Sequence, residues 1–445
     1  LVTFALTTEE TEVFLSTGST AFSPNSDGVN DRLNIIPQIR TELDVVRYNL
    51  SVYSSEEELI REYSGRTAPP ESISWDGLTG DGQLVDNGTY YSTIEIEDIG
   101  GAVKTARSED FIVDLTVPRI TASANYRLFS PDGDGFKDTI RITQESSREE
   151  RWNARVTNSE GEIVREMVWE GNAPSFTWDG TDAEGNLLPN GNYTYIISTT
   201  DIAGNSAEAE IENIRIDTRP TTIFITIDKD GFSPNGDGFQ DSIEISTLLN
   251  LQEGIESWSL DILTESDDEI IRTWSGEGQV PPETIEWDGR SDNDSYEEGL
   301  LYARLSVNYS KGNRPEEHTQ SFLLDISEPD VDLTITPKPF SPDNDGVDDE
   351  LTISIDVNDS SQISEWQLVI IDPYGEEFTR YEGNSSPAEE IIWDGRSASG
   401  ELVETARDYE MYLEITDVLG NRARIEDEIP VDILVVRDGD RLRIA

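Results

Sequence analysis

The sequence predicts an all-β fold: four tandem sandwiches in an elongated array. Three observations carry that prediction. A twelve-residue stretch recurs four times at a near-constant step, and a second marker keeps the same step. Between them, apolar and polar residues alternate with period two, and no segment shows helical periodicity. The stretch runs from Phe22 to Leu33 (FSPNSDGVNDRL) and returns at Phe129–Ile140, Phe232–Ile243 and Phe340–Leu351, so its starts lie 107, 103 and 108 residues apart. The second marker, Trp-Asp-Gly, begins at Trp75, Trp178, Trp287 and Trp393. A step of roughly 100 residues exceeds a solenoid repeat and matches one domain.

Each unit reads in the same order. After the twelve-residue stretch, Leu33/Ile35, Ile140/Ile142, Ile243/Ile245 and Leu351/Ile353 alternate with polar residues, as in a half-buried strand. An aromatic-led hairpin follows, opened by Tyr48, Trp152, Trp258 or Trp366, turned at 54–57, 158–161, 264–268 or 372–375, and closed by an aromatic, one residue and Gly (Tyr63/Gly65, Trp169/Gly171, Trp274/Gly276, Tyr381/Gly383). A short strand then enters Trp-Asp-Gly, and a polar turn leads to a long strand opened by Tyr90, Tyr193, Tyr302 or Tyr409. The turns at Asp98, Asp201 and Asp417 reverse the chain into a last strand. The third unit is expected to carry one inserted residue at Gly299–Tyr302 and to replace that turn's Asp with Asn308, and the fourth, with Ala406–Tyr409, lacks the usual Gly.

About seven strands per unit, with turns every 8 to 12 residues, describe an immunoglobulin-like β-sandwich. The short Asp-to-Pro segments before Pro118, Pro220 and Pro329 read as linkers, which divides the chain into 1–117 (with an N-terminal extension over the first residues, 1–11), 118–219, 220–328 and 329–445 (with a C-terminal extension). All nine tryptophans fall on three repeat positions, and a Trp fixed to a strand position is most simply core.

Composition narrows the function. There are no cysteines, which removes thiolate metal sites and thiol nucleophiles. The net charge is −60, which sets the surface against nucleic acid and anionic membrane. No stretch approaches the apolar length of a membrane helix, so no direct membrane insertion is expected of this fragment. The first residue is Leu and no leader precedes it, so we read a mature or excised segment, and the alternation continuing from Val431 to Ile444 reads as a chain that goes on.

Within the twelve-residue stretch the positions separate by role. The set Asn25, Asp27, Asp31 recurs as Asp132, Asp134, Asp138, then Asn235, Asp237, Asp241, then Asp343, Asp345, Asp349. Three oxygen-bearing side chains on a Gly-bent loop suit a hard cation, Ca2+, although the spacing is not that of an EF-hand. The competing reading is an Asx-turn whose side chains cap backbone amides. Val29, Phe136, Phe239 and Val347 are expected to point inward, and Ser26, Gly133, Gly236 and Asn344 to sit at a tight bend. For Asp76, Asp179, Asp288 and Asp394 of Trp-Asp-Gly, turn capping is expected rather than metal binding.

Trp178-Asp-Gly-x-Asp182-x-x-Gly185, Asn190-Gly-x-Tyr193 and Asp201-x-x-Gly204-Asn205 resemble the immunoglobulin-like domain of flagellar hook-capping proteins. The loop at 232–241 is similar to the start of gliding-motility-associated C-terminal domains. The resemblance covers nearly the whole chain and implies a sandwich fold in an exported bacterial protein, periplasmic, outer-membrane-associated or at the cell surface. It does not carry over hook assembly.

No catalytic motif is present, and the single histidine, His318, has no counterpart in the other units, so a solvated loop position is expected for it and no enzyme. Two classes remain: a structural spacer rigidified by calcium-binding loops, and a multivalent adhesion or ligand-binding module for protein or glycan. The partners expected are other envelope or surface proteins, and the chain is read as a monomer. Short linkers and like charge push neighbouring units apart. Small-angle scattering should therefore return a radius of gyration well above the roughly 22 Å of compact scaling, and a compact value would exclude an elongated array.

Overall fold

A computed structural model describes residues 10–438 and 441–444; of the predicted N-terminal extension, residues 1–9 lie outside it. Strands make up all of its regular structure, and no helix among the described residues is long and apolar enough to cross a membrane. The chain divides into two compact units, residues 1–218 and 219–445, and each unit holds two hydrophobic cores. Each core draws only on residues of one sequence repeat, so the repeats are four immunoglobulin-like sandwiches.

The first repeat shows the plan. Strands Glu12–Thr17, Leu33–Arg40 and Ile73–Trp75 form one antiparallel sheet. The facing sheet is ordered Ala21–Phe22, Phe111–Val113, Gly88–Asp98, Val45–Ser54, Leu59–Gly65, with Val103–Arg107 also paired to Gly88–Asp98. The two-residue strand Ala21–Phe22, which periodicity cannot register, runs parallel to Phe111–Val113. Here the chain leaves the first sheet, touches the second, and returns to the first at Leu33. The twelve-residue loop is that return, and it therefore sits at the end of the sandwich beside the last strand. In the fourth repeat the same crossing is a single parallel bridge, Phe340 to Val431.

The two sequence markers meet in every repeat. The last residue of the loop stretch pairs with the tryptophan: Leu33 with Trp75, Ile140 with Trp178, Ile243 with Trp287, Leu351 with Trp393. The first residue packs on it with its ring tilted or edge-on, with Phe–Trp ring centroids 5.4, 5.8, 5.6 and 5.4 Å apart. The third residue, Pro, lies against the Gly of Trp-Asp-Gly so closely that a Cβ on Gly77, Gly180, Gly289 or Gly395 would come within 2.5, 3.1, 2.9 or 2.7 Å of proline carbons. These four tryptophans are buried with Trp152 and Trp258, as expected of core, whereas Trp169, Trp274 and Trp366 are half-buried against its edge, which corrects the expectation for those three.

Register corrects two expectations in the third repeat. Gly299 pairs with Leu324 and Leu301 with Phe322, as Gly88 pairs with Val113 and Tyr90 with Phe111. No residue is inserted: Leu301 takes the buried place of the tyrosine, and Tyr302 is the next residue along the strand. At the following turn, Tyr309 N donates to Asn313 O as Asp201 N donates to Asn205 O, so Tyr309, not Asn308, replaces the aspartate. In the fourth repeat Arg407 stands where Gly88 and Gly191 stand, two residues before the tyrosine, and the turn differs in the preceding Ala406, which adopts φ 51°. Beyond the fourth sandwich, Val435–Asp438 and Arg441–Ile444 form a separate two-stranded pair.

Gly289 has φ 82° and Gly278 has φ 65°, but nothing lies within 4 Å of a Cβ built on Gly278. Gly278→Ala should cost about 1 kcal/mol through backbone strain alone. Gly289→Ala adds a collision with Pro234, Leu324 and Phe232 and should cost about 2–4 kcal/mol in denaturant melts, and equal costs would refute the marker contact.

Candidate functional site

Each twelve-residue loop folds around its own aspartates. In the first, Ser23 N donates to Asn30 O, closing the loop. Asp31 accepts from Ser26 N (2.6 Å) and Gly28 N (2.8 Å), Asp27 from Val29 N (2.8 Å), and Asn25 Oδ1 from Asp27 N (2.9 Å). The pattern repeats: Asp138 takes Gly133 N and Gly135 N, Asp241 takes Gly236 N and Gly238 N, and Asp349 takes Asn344 N and Gly346 N. Asp134, Asp237 and Asp345 accept from Phe136, Phe239 and Val347, while Asp132, Asn235 and Asp343 accept from the amide two residues on. The bend residues Ser26, Gly133, Gly236 and Asn344 take φ from 67° to 85°. These are Asx-turns in which inward-facing amides converge on the closing carboxylate.

The same geometry gathers charge. In the second loop, Asp132, Asp134 and Asp138 each place one oxygen within 4.8 Å of the others, as do Asp343, Asp345 and Asp349 in the fourth. A carboxylate oxygen that accepts one amide keeps lone pairs for a cation, so capping and ion binding are compatible. In the first loop Asn25 replaces the first aspartate, and its Nδ2 donates to Asp27 Oδ2 at 2.9 Å.

That asparagine has a second role which the sequence reading missed. Asn25 Nδ2 also donates to Asn205 Oδ1 (3.1 Å) in the turn of the second repeat. Asn205 Nδ2 in turn donates to Asp114 O (3.0 Å) at the end of the first repeat and to Asp201 Oδ2 (2.9 Å). Asp201 Oδ1 holds the turn by accepting from Ala203, Gly204 and Asn205 amides. The second unit repeats the joint: Asn235 Nδ2 (3.1 Å) and Ser233 Oγ (2.5 Å) donate to Asn421 Oδ1, and Asn421 Nδ2 donates to Asp325 O and Asp417 Oδ2. One asparagine side chain therefore bridges the loop, the last strand of one repeat and the turn of the next. The available signal was the pairing of Asn in a loop with Asp-x-x-Gly-Asn one repeat later.

The apolar residue after the loop's glycine also serves the joint. Val29 and Phe239 are 50% and 53% exposed, and Phe136 and Val347 are exposed too, so the expectation that they point inward is corrected. The Asx-turn directs them out of their own sandwich. A Cβ on Gly204 would lie 3.1 Å from Val29, and one on Gly420 would lie 3.0 Å from Phe239. At φ 102° and 98°, only glycine suits these positions.

Behind the joint of the second unit lies an acidic cluster that no repeat pattern announces. Asp325, Asp359 and Asp417 each offer an oxygen within 4.8 Å of the others, and Asp325 and Asp417 are 1% and 2% exposed. Burial, reinforced by the charges of Asp359, Asp417 and Glu298, pushes the Asp325 carboxyl up to about 6 against one backbone bond from Ser327, and burial raises Asp359 as well.

Elsewhere the chemistry is structural. Asp76, Asp179, Asp288 and Asp394 accept from the amide two residues on, and each neighbouring Trp Nε1 donates to the carbonyl three residues on. His318 is exposed, on the short strand Glu316–His318 rather than a loop, with its ring against Tyr302. An open depression of about 580 Å3 on the fourth repeat, lined by Trp366, Glu382, Glu414 and Arg422 among others, contains none of the loop acids.

Residues 129–202 match the family model described as the FlgD Ig-like domain. That segment starts at the loop Phe and ends one residue past Asp201. The chain is 31% identical over 121 residues to C5a peptidase of Streptococcus pyogenes, an alignment covering 24% of this chain and 10% of the peptidase, so the chain spans a small part of the curated relatives it matches. Among solved structures it is similar to the tetra-tandem repeat in the extending region of a large adhesion protein (TM-score 0.32, 16% identity, 94% of this chain and 99% of that chain). It is also similar to part of a 1.5-MDa bacterial ice-binding adhesin (0.29, 15%, 72% and 99%) and to fibronectin(III)-like modules of Clostridium thermocellum CbhA (0.22, 18%, 47% and 94%).

A carboxyl raised in the folded state opposes folding once it ionises. Its contribution is complete below the ordinary value of 3.8, declines as pH rises towards 6, and is constant above. In chelator, Asp325→Asn should stabilise the second unit by about 1–3 kcal/mol at pH 7, and the gain should vanish near pH 4. Melts of the two proteins that differ equally at both pH values would show that Asp325 is not strained.

Proposed function

We propose that this chain is a non-catalytic spacer region of an exported bacterial envelope or surface protein, its sandwiches joined in rigid pairs and its acidic loops taking calcium. The observation that carries the reading is the asparagine joint within each unit. A hydrogen-bonded side chain seated on two repeats at once, with an apolar contact beside it, removes freedom from the linker, which serves the holding of distance and contributes nothing to bond-making. The net charge of −60 suits a region that stays solvated and keeps from self-association. The match to an immunoglobulin-like domain model over the second repeat agrees with a modular, exported protein. Other envelope or surface proteins are the partners such a region would have.

Calcium belongs to this reading because each loop concentrates carboxylates on a bend that its own amides only partly neutralise. A cation bound only by the folded state adds about 2.7 kcal/mol at a hundredfold excess over its dissociation constant. Sites with three carboxylates or fewer belong with the weak, extracellular class.

Calorimetry tests both parts. In the wild type each unit should melt as one transition, Tm should rise in millimolar calcium and fall in chelator, and Asn205→Ala should split the first unit into two transitions. Asp237→Asn with Asp241→Asn should remove the third loop's share of the calcium response. A single transition that survives Asn205→Ala refutes the rigid joint, and a Tm indifferent to calcium and chelator reduces the loops to Asx-turns.

A further inference from the structure

We infer that Asp325, Asp359 and Asp417 form a calcium site that ties the third repeat to the fourth, separate from the twelve-residue loops. The three carboxylates come from three segments: Asp325 from the end of the third repeat's last strand, Asp359 from the loop after strand Leu351–Asn358, and Asp417 from the turn that carries Asn421. One oxygen of each lies within 4.8 Å of the others. Oxygens bound to one calcium at about 2.4 Å can be no more than about 4.8 Å apart, so the cluster already has the span of a coordination shell.

The second observation is an orphan. Asp325 is 1% exposed, its Oδ1 accepts from Ser327 N at 3.1 Å, and its Oδ2 is buried without a hydrogen-bond partner among the described residues. A buried carboxylate oxygen left unpaired is costly, and the charged groups acting on this one, Asp359, Asp417 and Glu298, are all acidic. None of the three aspartates joins an ion pair with Lys, Arg or His among the described residues. Something positive is required, and no described residue supplies it.

The remaining partners orient the site. Asp417 Oδ1 accepts from Leu419 N (2.9 Å) and Asn421 N (2.7 Å), and its Oδ2 from Asn421 Nδ2 (3.0 Å) and Ser361 Oγ (2.5 Å). Ser361 Oγ also reaches Asp359 Oδ2 at 3.3 Å. Held this way, Asp417 and Asp359 face Asp325 across the boundary between repeats. An ion there would bind both repeats through the same turn that the Asn421 bridge uses.

The first unit is a natural control. Asp114 and Asp201 occupy the places of Asp325 and Asp417, but Asp114 Oδ1 is taken up by Asn87 Nδ2 (3.2 Å) and Thr116 N (2.9 Å). The third ligand is missing because its loop is shorter. Trp152 follows Ile140 by twelve residues, whereas Trp366 follows Leu351 by fifteen, and the longer loop carries Asp359. Among the described residues no group of three acids forms at the first unit's joint. Calcium fits better than magnesium, because ligands from three separate segments give an irregular shell and magnesium demands near-octahedral geometry.

Hydrogen exchange on the whole chain, with calcium or chelator at matched ionic strength, tests the site independently of the loops. At calcium ten times its dissociation constant, exchange in the segments 325–329, 359–362 and 417–421 should slow about tenfold. The matching first-unit segments 114–118 and 201–205 should not change. Asp325→Asn, an isosteric change expected to stabilise the fold in chelator, should abolish the effect, as should Asp359→Asn, while Asp114→Asn should leave it intact. The inference is overturned if the three segments are indifferent to calcium in the wild type, if both variants keep the full response, or if magnesium or sodium chloride reproduces it. Protection confined to the segment 129–138 would also overturn it while leaving calcium binding by the loops in place.

Discussion

The contact between the Phe-Ser-Pro stretch and Trp-Asp-Gly is the constraint on which the rest depends. Phe packs its ring against Trp, Pro lies on Gly, and the last residue of the stretch pairs with the same Trp across the sheet. Three contacts between two short motifs hold both ends of the crossing loop to one end of the sandwich. Large aromatic side chains dominate core energetics, so this cluster anchors each repeat. It also explains why two motifs about fifty residues apart recur together: neither can change alone without leaving a cavity or a clash.

Fixing the ends of the loop determines what its middle does. With Phe22 and Leu33 pinned, the residues between must turn tightly, and their amides point inward to the aspartates. The apolar residue after Gly is then thrown outward, to where the next sandwich begins. Local capping thus produces the docking surface. The short parallel strand places that surface beside the last strand and linker, which is why one asparagine of the following turn reaches both.

The two units share this joint but differ behind it. In the first, small polar partners satisfy the aspartate at the end of the last strand. In the second, a longer loop adds a third carboxylate, and one buried oxygen has no donor among the described residues. The same architecture carries a satisfied joint in one place and an electrostatically strained one in another. In so acidic a chain a carboxylate cluster by itself says little; burial and the missing donor distinguish this one.

By itself the sequence determined the repeat, the longer strands, the sandwich class and the buried tryptophans of Trp-Asp-Gly, because these follow from period-two alternation and from spacing, which are local or strictly recurrent. It also determined the loop as a tight bend of aspartates that cap backbone amides, since Gly and Asx at fixed offsets dictate a bend. It misread Val29 and Phe239 as inward-facing, because an apolar residue normally is, and only the turn's φ values and the neighbouring repeat decide otherwise. It misplaced Leu301 and Tyr309 because strand register across the sheet, not residue identity, assigns the equivalent position. The tertiary structure alone decided the asparagine joints and the Asp325, Asp359 and Asp417 cluster. Their partners lie up to 188 residues apart, and burial, on which their chemistry depends, belongs to the packed interface rather than to any stretch of chain.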